Sequence, residues 1–220
     1  DASFLGFELS AWYTYFTNQI IPDYDTNPNQ IIYKNLNGYS ETIGISGNID
    51  WVSPYGIKSI IGFTVMDPKN VQNGIATQPI LTEKYSINWT ISYDIPNWYL
   101  SIDYTGSLYG PMRLPLLGPL DPRAEYSQPW SLQNIQFTYK KFRNFELYGG
   151  IKNILNWTPN KGNPFLIARA EDPFDQNVTY DTNGNVMATP SNPYALTFDP
   201  TYVYAPNQGI RGFLGLRYTL

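Results

Sequence analysis

From Tyr39 to Trp51 the chain alternates strictly between two kinds of residue. One set reads Tyr39, Glu41, Ile43, Ile45, Gly47, Ile49 and Trp51; the other reads Ser40, Thr42, Gly44, Ser46, Asn48 and Asp50. Residues 85–95 repeat the pattern, with Tyr85, Ile87, Trp89, Ile91, Tyr93 and Ile95 set against Ser86, Asn88, Thr90, Ser92 and Asp94. Helical neighbours lie three and four residues apart, so a period of two predicts a strand with one apolar and one polar face. Six further segments carry the same period. Residues 4–16 present Leu5, Phe7, Leu9, Ala11, Tyr13 and Tyr15, and residues 57–67 present Ile57, Ile61, Phe63 and Val65. Residues 98–108 present Trp98, Leu100, Ile102, Tyr104 and Leu108, and residues 131–141 present Ile135, Phe137 and Tyr139. Residues 145–155 present Phe145, Leu147, Ile151 and Leu155, and residues 209–220 present Ile210, Leu214, Leu216, Tyr218 and Leu220.

The connections sort by length. Residues 53–56, 96–97 and 142–144 read as tight turns, while residues 18–38, 68–83, 109–130 and 156–208 are long and rich in Pro, Asn and Asp. Long and short alternate, as in outer-membrane barrels, whose extracellular loops are long and periplasmic turns short. Both chain ends and the 53–56 turn are then expected in the periplasm. Strand length agrees. Tyr39 to Trp51 extends roughly 40 Å, and at a tilt of about 40° it crosses roughly 30 Å. The expected fold is all-β: a transmembrane antiparallel β-barrel portion of about eight strands spanning residues 1–220.

A closed barrel of eight strands is narrow and must be filled by its own side chains. The polar faces here carry small residues, such as Ser40, Thr42, Gly44 and Ser46, or Ser101, Asp103, Thr105 and Ser107. That lining favours a wide lumen, and therefore one arc of a larger barrel. The rival is a complete small barrel with an adhesion or surface-anchoring role.

Composition narrows the chemistry. The chain has no cysteine and no histidine, which closes disulfides, thiolate and histidine catalysis and most zinc sites. Its net charge of −4 offers no basic face for nucleic acid. The 19 Tyr and 6 Trp exceed the needs of a soluble core and suit aromatic girdles at two membrane interfaces. No apolar run approaches the roughly 18 residues of a membrane helix.

Several segments resemble one known family. Residues 145–156, FELYGGIKNILN, resemble the G-x-K-N-L-x-N strand near the end of TonB-dependent receptors, with Ile154 in place of leucine. Residues 198–220 are similar to the last loop and strand of the Bacteroidetes-type members, and residues 102–115 and 13–22 to earlier strands and loops. The resemblance implies the C-terminal arc of a 22-stranded barrel closed by a plug. It further implies uptake of a siderophore, haem, cobalamin or an oligosaccharide, powered through TonB. The plug, its TonB box and the earlier strands are not in these residues. The partners implied are outer-membrane lipid, the barrel assembly machinery, the remaining barrel and plug, the TonB system and a surface lipoprotein.

No catalytic set emerges, and neither an enzyme nor a cofactor is expected. Asp94 with Asp103, or Asp172 with Asp175, could form a carboxylate pair for glycoside hydrolysis, but solvated lumen charges account for them. Asp181-Thr-Asn183-Gly184 has its glycine too early for a calcium loop and reads as a turn. Binding residues concentrate on loops held by a rigid scaffold. The candidates at the outer mouth are Asp23, Tyr24, Asp25, Arg113, Tyr126, Arg169, Tyr202 and Tyr204, with Met112 beside them. At the other end, Leu214, Leu216, Tyr218 and Leu220 form an apolar stripe that resembles a barrel-assembly signal.

Overall fold

A computed structural model describes residues 3–23, 32–115, 124–159, 179–183, 187–191, 193, 195, 205–206 and 208–219. Its strands are β1 (Phe4–Phe16), β2 (Ile20–Asp23), β3 (Ile32–Asn35), β4 (Gly38–Val52), β5 (Ile57–Gln72) and β6 (Ile75–Thr77). They are followed by β7 (Tyr85–Ile95), β8 (Leu100–Tyr109), β9 (Trp130–Tyr139), β10 (Phe145–Lys152) and β11 (Arg211–Tyr218). Eight of them form one sheet in the order β1-β4-β5-β7-β8-β9-β10-β11, every neighbouring pair antiparallel. The ends of the sheet, β1 and β11, share no ladder among the described residues, so the eight strands form an open arc and not a small closed barrel. The fold is an open arc of an antiparallel β-barrel wall.

The two faces follow the alternation. Tyr13 stands opposite Ile43, and Ile43 opposite Asp67; Trp12 stands opposite Gly44, and Gly44 opposite Met66. Leu5, Phe7, Leu9, Ile43, Ile45 and Trp51 are exposed on one face, as a lipid-facing wall requires. The rings of Tyr15 and Tyr39 lie 5.2 Å apart near the outer end of that face, and those of Phe145 and Tyr218 4.8 Å apart near the inner end. Near the long-loop end of the same face Asp67 holds both Lys69 (2.6 Å) and Lys84 (2.9 Å), and Glu41 accepts from the Tyr13 hydroxyl at 3.3 Å.

Some element ends differ from expectation. Trp98 is not in a strand: Pro96–Trp98 is a 3-10 turn, and Tyr99 takes a left-handed φ of 54° before β8 begins. Leu155 also lies outside its strand, because Asn153 turns to φ 52° directly after Lys152. The expected loop at 68–83 is partly strand. β5 runs to Gln72 and turns at Asn73-Gly74, where both φ are positive (50° and 78°), into β6. Pro68 lies where β5 has left β7, after Val65, and has not yet met β6, at Asn70. That interval tolerates a residue with no N–H. The 18–38 connection likewise contains the β2–β3 hairpin.

Candidate functional site

The site lies on the polar, lumen-side face, at the long-loop ends of β1, β4 and β5. Trp12, Thr14 and Phe16 of β1 face Gly44, Thr42 and Ser40 of β4, which in turn face Met66, Pro68 and Asn70 of β5. The period-two rule brings all nine to one side of the sheet. The β2–β3 hairpin folds over this patch. Leu36 donates its N–H to the carbonyl of Gln19 at 2.8 Å, which carries the β2–β3 ladder on to the base of the hairpin, and its side chain is 3% exposed. Asp23 is buried, and Lys34 across the hairpin reaches it at 2.6 Å.

Three loop segments complete this end of the arc, joined by backbone bonds. Leu81 N–H donates to Arg113 O, Leu114 N–H to Glu125 O and Ser127 N–H to Met112 O, each at 2.8 Å. The Ser127 hydroxyl also accepts from Met112 N–H at 2.9 Å. Together the wall, the hairpin and residues 77–82 enclose a cavity of about 460 Å³, within the range of about 300–1,000 Å³ typical of small-molecule sites. Its lining combines the aromatic rings of Trp12 and Phe16 with the side-chain amides of Gln19, Asn70, Gln72 and Gln78.

Of the expected binding residues, Asp23 and Arg113 line this one cavity although 90 positions separate them. Tyr126 pairs with Arg113 through a backbone bridge and is 40% exposed. Arg113 faces Glu125 at 3.5 Å. Met112, offered as a mouth residue, is instead buried with Trp130 and Ala205 in the small core beneath the loops. Tyr24, Asp25, Arg169, Tyr202 and Tyr204 lie outside the described residues. Trp12, Phe16 and the four amides went unread in the sequence. Their signal was present: Trp12 and Phe16 interrupt the polar run of the even face of β1 that begins after Phe4.

A second set orders the last long connection. Asn153, 5% exposed, donates through Nδ2 to the carbonyls of Trp157 (2.7 Å) and Gln208 (3.0 Å), while its Oδ1 accepts from Trp157 N–H (3.0 Å). Asn156 Oδ1 accepts from Ile210 N–H at 2.9 Å. Both asparagines take left-handed φ values, 52° and 48°, which asparagine tolerates better than most residues. Trp157 stacks on Trp130 at 5.2 Å, and Trp130 on Tyr109 at 4.3 Å. The two asparagines of the KNILN motif thus fasten both ends of the connection to the wall.

The inner half of the lumen face carries the acidic pair. Ser92 donates to Asp103 and Ser101 to Asp94, with Lys58 (3.8 Å) and Lys140 (4.0 Å) near Asp94. Each carboxylate faces a hydroxyl across the ladder, and neither faces the other. That is a solvated charge network, without the facing carboxylates of a glycosidase. Asp172 and Asp175 lie outside the described residues. Asp181 Oδ1 accepts from Asn183 N–H at 2.8 Å, the bond of an Asx turn. Among the described residues no group of three acidic side chains is placed to hold a metal.

On β11, Leu214, Leu216 and Tyr218 are exposed at 79%, 61% and 51% on the lipid-facing side of a sheet edge; Leu220 lies outside the described residues.

No family model and no curated protein matches the chain. Solved structures do. The chain is similar to the ferric-catecholate import receptor Fiu of E. coli, with TM-score 0.60, 11% identity, and coverage of 98% of this chain and 25% of that one. It is similar to the pyoverdine outer-membrane receptor FpvA of Pseudomonas aeruginosa (TM-score 0.59, 13% identity, 98% and 27% covered). It is also similar to the ferric enterobactin receptor PfeA of the same species (TM-score 0.56, 14% identity, 97% and 29% covered). The chain therefore spans about a quarter of the length of these receptors, and at such identities the likeness establishes the shared barrel fold.

Proposed function

We propose that the chain forms the C-terminal part of the barrel wall of a TonB-dependent outer-membrane transporter, of the Bacteroidetes type that residues 198–220 resemble, which binds and imports a nutrient. The observation that carries the reading is the cavity at the outer mouth, formed on the lumen side of an arc too open to be a barrel by itself. A solute held there has left bulk water and faces the channel. The candidate classes are a siderophore, haem, cobalamin or an oligosaccharide.

The lumen face also calls for a cover. Phe4 and Ile60 stand 57% and 55% exposed on its inner half, beside the Asp94 network. Exposed apolar groups within a polar wall suit a packed plug better than an open water channel. Through that plug the transporter would couple to TonB. The long loops would be extracellular and the C-terminus periplasmic, with lipid, the assembly machinery and a surface lipoprotein as the other partners.

Deletion of the gene and deletion of TonB in the source bacterium test this. Both strains are expected to lose growth on the same limiting nutrient, with growth restored by the wild-type gene. Growth unaffected by either deletion, with surface attachment lost, would replace transport by the adhesion reading.

A further inference from the structure

We infer that the outer-mouth cavity selects a neutral, hydroxyl-rich solute, of which an oligosaccharide is the natural class, over an anionic metal chelate. The inference rests on the transport reading and narrows it.

The first argument is electrostatic. Among its described lining residues the cavity has three formal charges: Asp23, Lys34 and Arg113. Each already has a counter-charge within the protein. Lys34 holds Asp23 at 2.6 Å, and Glu125 stands 3.5 Å from Arg113. The Asp23 carboxylate is also buried, so its pairing with Lys34 is not easily exchanged for a ligand. An anionic chelate entering here would find no unmatched cation among the described lining residues and would meet two carboxylates already in place. Binding it requires breaking an internal pair, which costs more than the new contact returns when one partner is left buried.

The second argument is hydrogen-bond supply. The polar part of the lining is mostly neutral groups that both donate and accept, above all the amides of Gln19, Asn70, Gln72 and Gln78. One of them is conspicuously unsatisfied. The side-chain oxygen of Gln19 is buried and has no donor. A buried acceptor left unpaired is costly, and a turn of the Gln19 amide toward the cavity would let a ligand hydroxyl donate to it, which a carboxylate or catecholate oxygen cannot do. Arrays of amides that bind a hydroxyl by accepting and donating at once discriminate strongly against ligands lacking it.

The third argument is shape. Trp12 covers Gly44 with its ring, and the same ring lines the cavity together with Phe16. A Cβ at position 44 would collide with that ring, so glycine allows the indole to lie against the wall. A flat aromatic platform flanked by amides matches a sugar ring, which has an apolar C–H face and a hydroxyl rim. Dispersion across the face and hydrogen bonds at the rim then act together.

The test uses the complete receptor, purified in detergent from outer membranes, with folding of each variant verified by heat-modifiable gel migration. Probes are a neutral-glycan array, followed by calorimetry on any hit, and the ferric catecholate of enterobactin as an anionic chelate. A neutral glycan is expected to bind. Its affinity should fall about tenfold or more in Trp12→Ala and in Gln19→Ala and be largely retained in Trp12→Phe. It should change little between about 0.05 and about 0.5 M salt. A glycan bound equally by Trp12→Ala and Gln19→Ala overturns the assignment of this cavity. Salt-sensitive binding of the ferric catecholate, lost in Arg113→Ala, overturns the neutral-solute inference and leaves transport standing. Binding of neither probe class by a folded receptor overturns the neutral-solute inference, while the growth phenotype of the deletion strains still decides transport.

Discussion

The indole of Trp89 lies across Gly106, its directly opposed residue on the next strand, so closely that a Cβ on the glycine would run into the ring. The pair sits on the lipid-facing side, where Trp89 also approaches the Tyr104 ring at 6.1 Å. Trp12 over Gly44 on the lumen face and Tyr148 beside Gly215 repeat the arrangement. An aromatic ring covering a cross-strand glycine fixes register as well as filling space, because a slip of two residues would set the ring against a side chain.

Gly106→Val is accordingly expected to destabilise the folded barrel by about 1–3 kcal/mol, as overpacking does. Trp89→Ala in the same chain should recover part of that loss, which a double-mutant cycle by urea unfolding would detect. Strictly additive effects would show that the contact carries no energy.

The two faces predict opposite accessibilities at adjacent residues. Spin labels at Ile45 and Ile91 should be relaxed by oxygen dissolved in the bilayer, and labels at Ser46 and Ser92 by a water-soluble nickel chelate. Reversal at either pair would invert the wall. The eight strands were legible at this level because their period is two and the side chains are strongly sorted, as at Ile43, Gly44, Ile45 and Ser46. Their ends were not. Trp98 and Leu155 continue the apolar pattern, yet Tyr99 and Asn153 turn the backbone to positive φ, a choice set by tertiary contacts. The cavity was half legible. Asp23 and Arg113 were found as charges on loops, but only the inward fold of the β2–β3 hairpin and the bridge from Ile80 to Arg113 bring them to one lining.

Asn153→Ala should cost about 2–4 kcal/mol, from three lost side-chain hydrogen bonds and a left-handed backbone that alanine adopts poorly. Asn156→Gly keeps the backbone and loses only the acceptor for Ile210, so about 1 kcal/mol is expected. Tryptophan fluorescence during urea unfolding separates the two, since Trp157 and Trp130 lie beside Asn153. Equal costs for the two variants would contradict the bonding described. The wider role is to set register. A connection from Lys152 to Arg211 is too long to do so by turn geometry, and the asparagines hold both of its ends.

Deletion of Tyr218 to Leu220 is expected to prevent insertion much more than it lowers the stability of barrels already folded. β11 is a sheet edge with its alternate apolar side chains exposed, and an edge is a template for strand addition. Quantification of the truncated receptor in outer membranes decides the matter: normal levels would leave those residues only a lipid-facing role.

The backbone bonds among residues 81, 112–114 and 125–127 have a mechanical consequence. Peptide hydrogen bonds in series bear load together, so these three segments behave as one woven sheet of cloth and not as separate threads. A pull on Tyr126 is delivered through Arg113 to Leu81, which lies on the cavity wall. Whatever grips the Tyr126 loop therefore also tugs on the cavity wall.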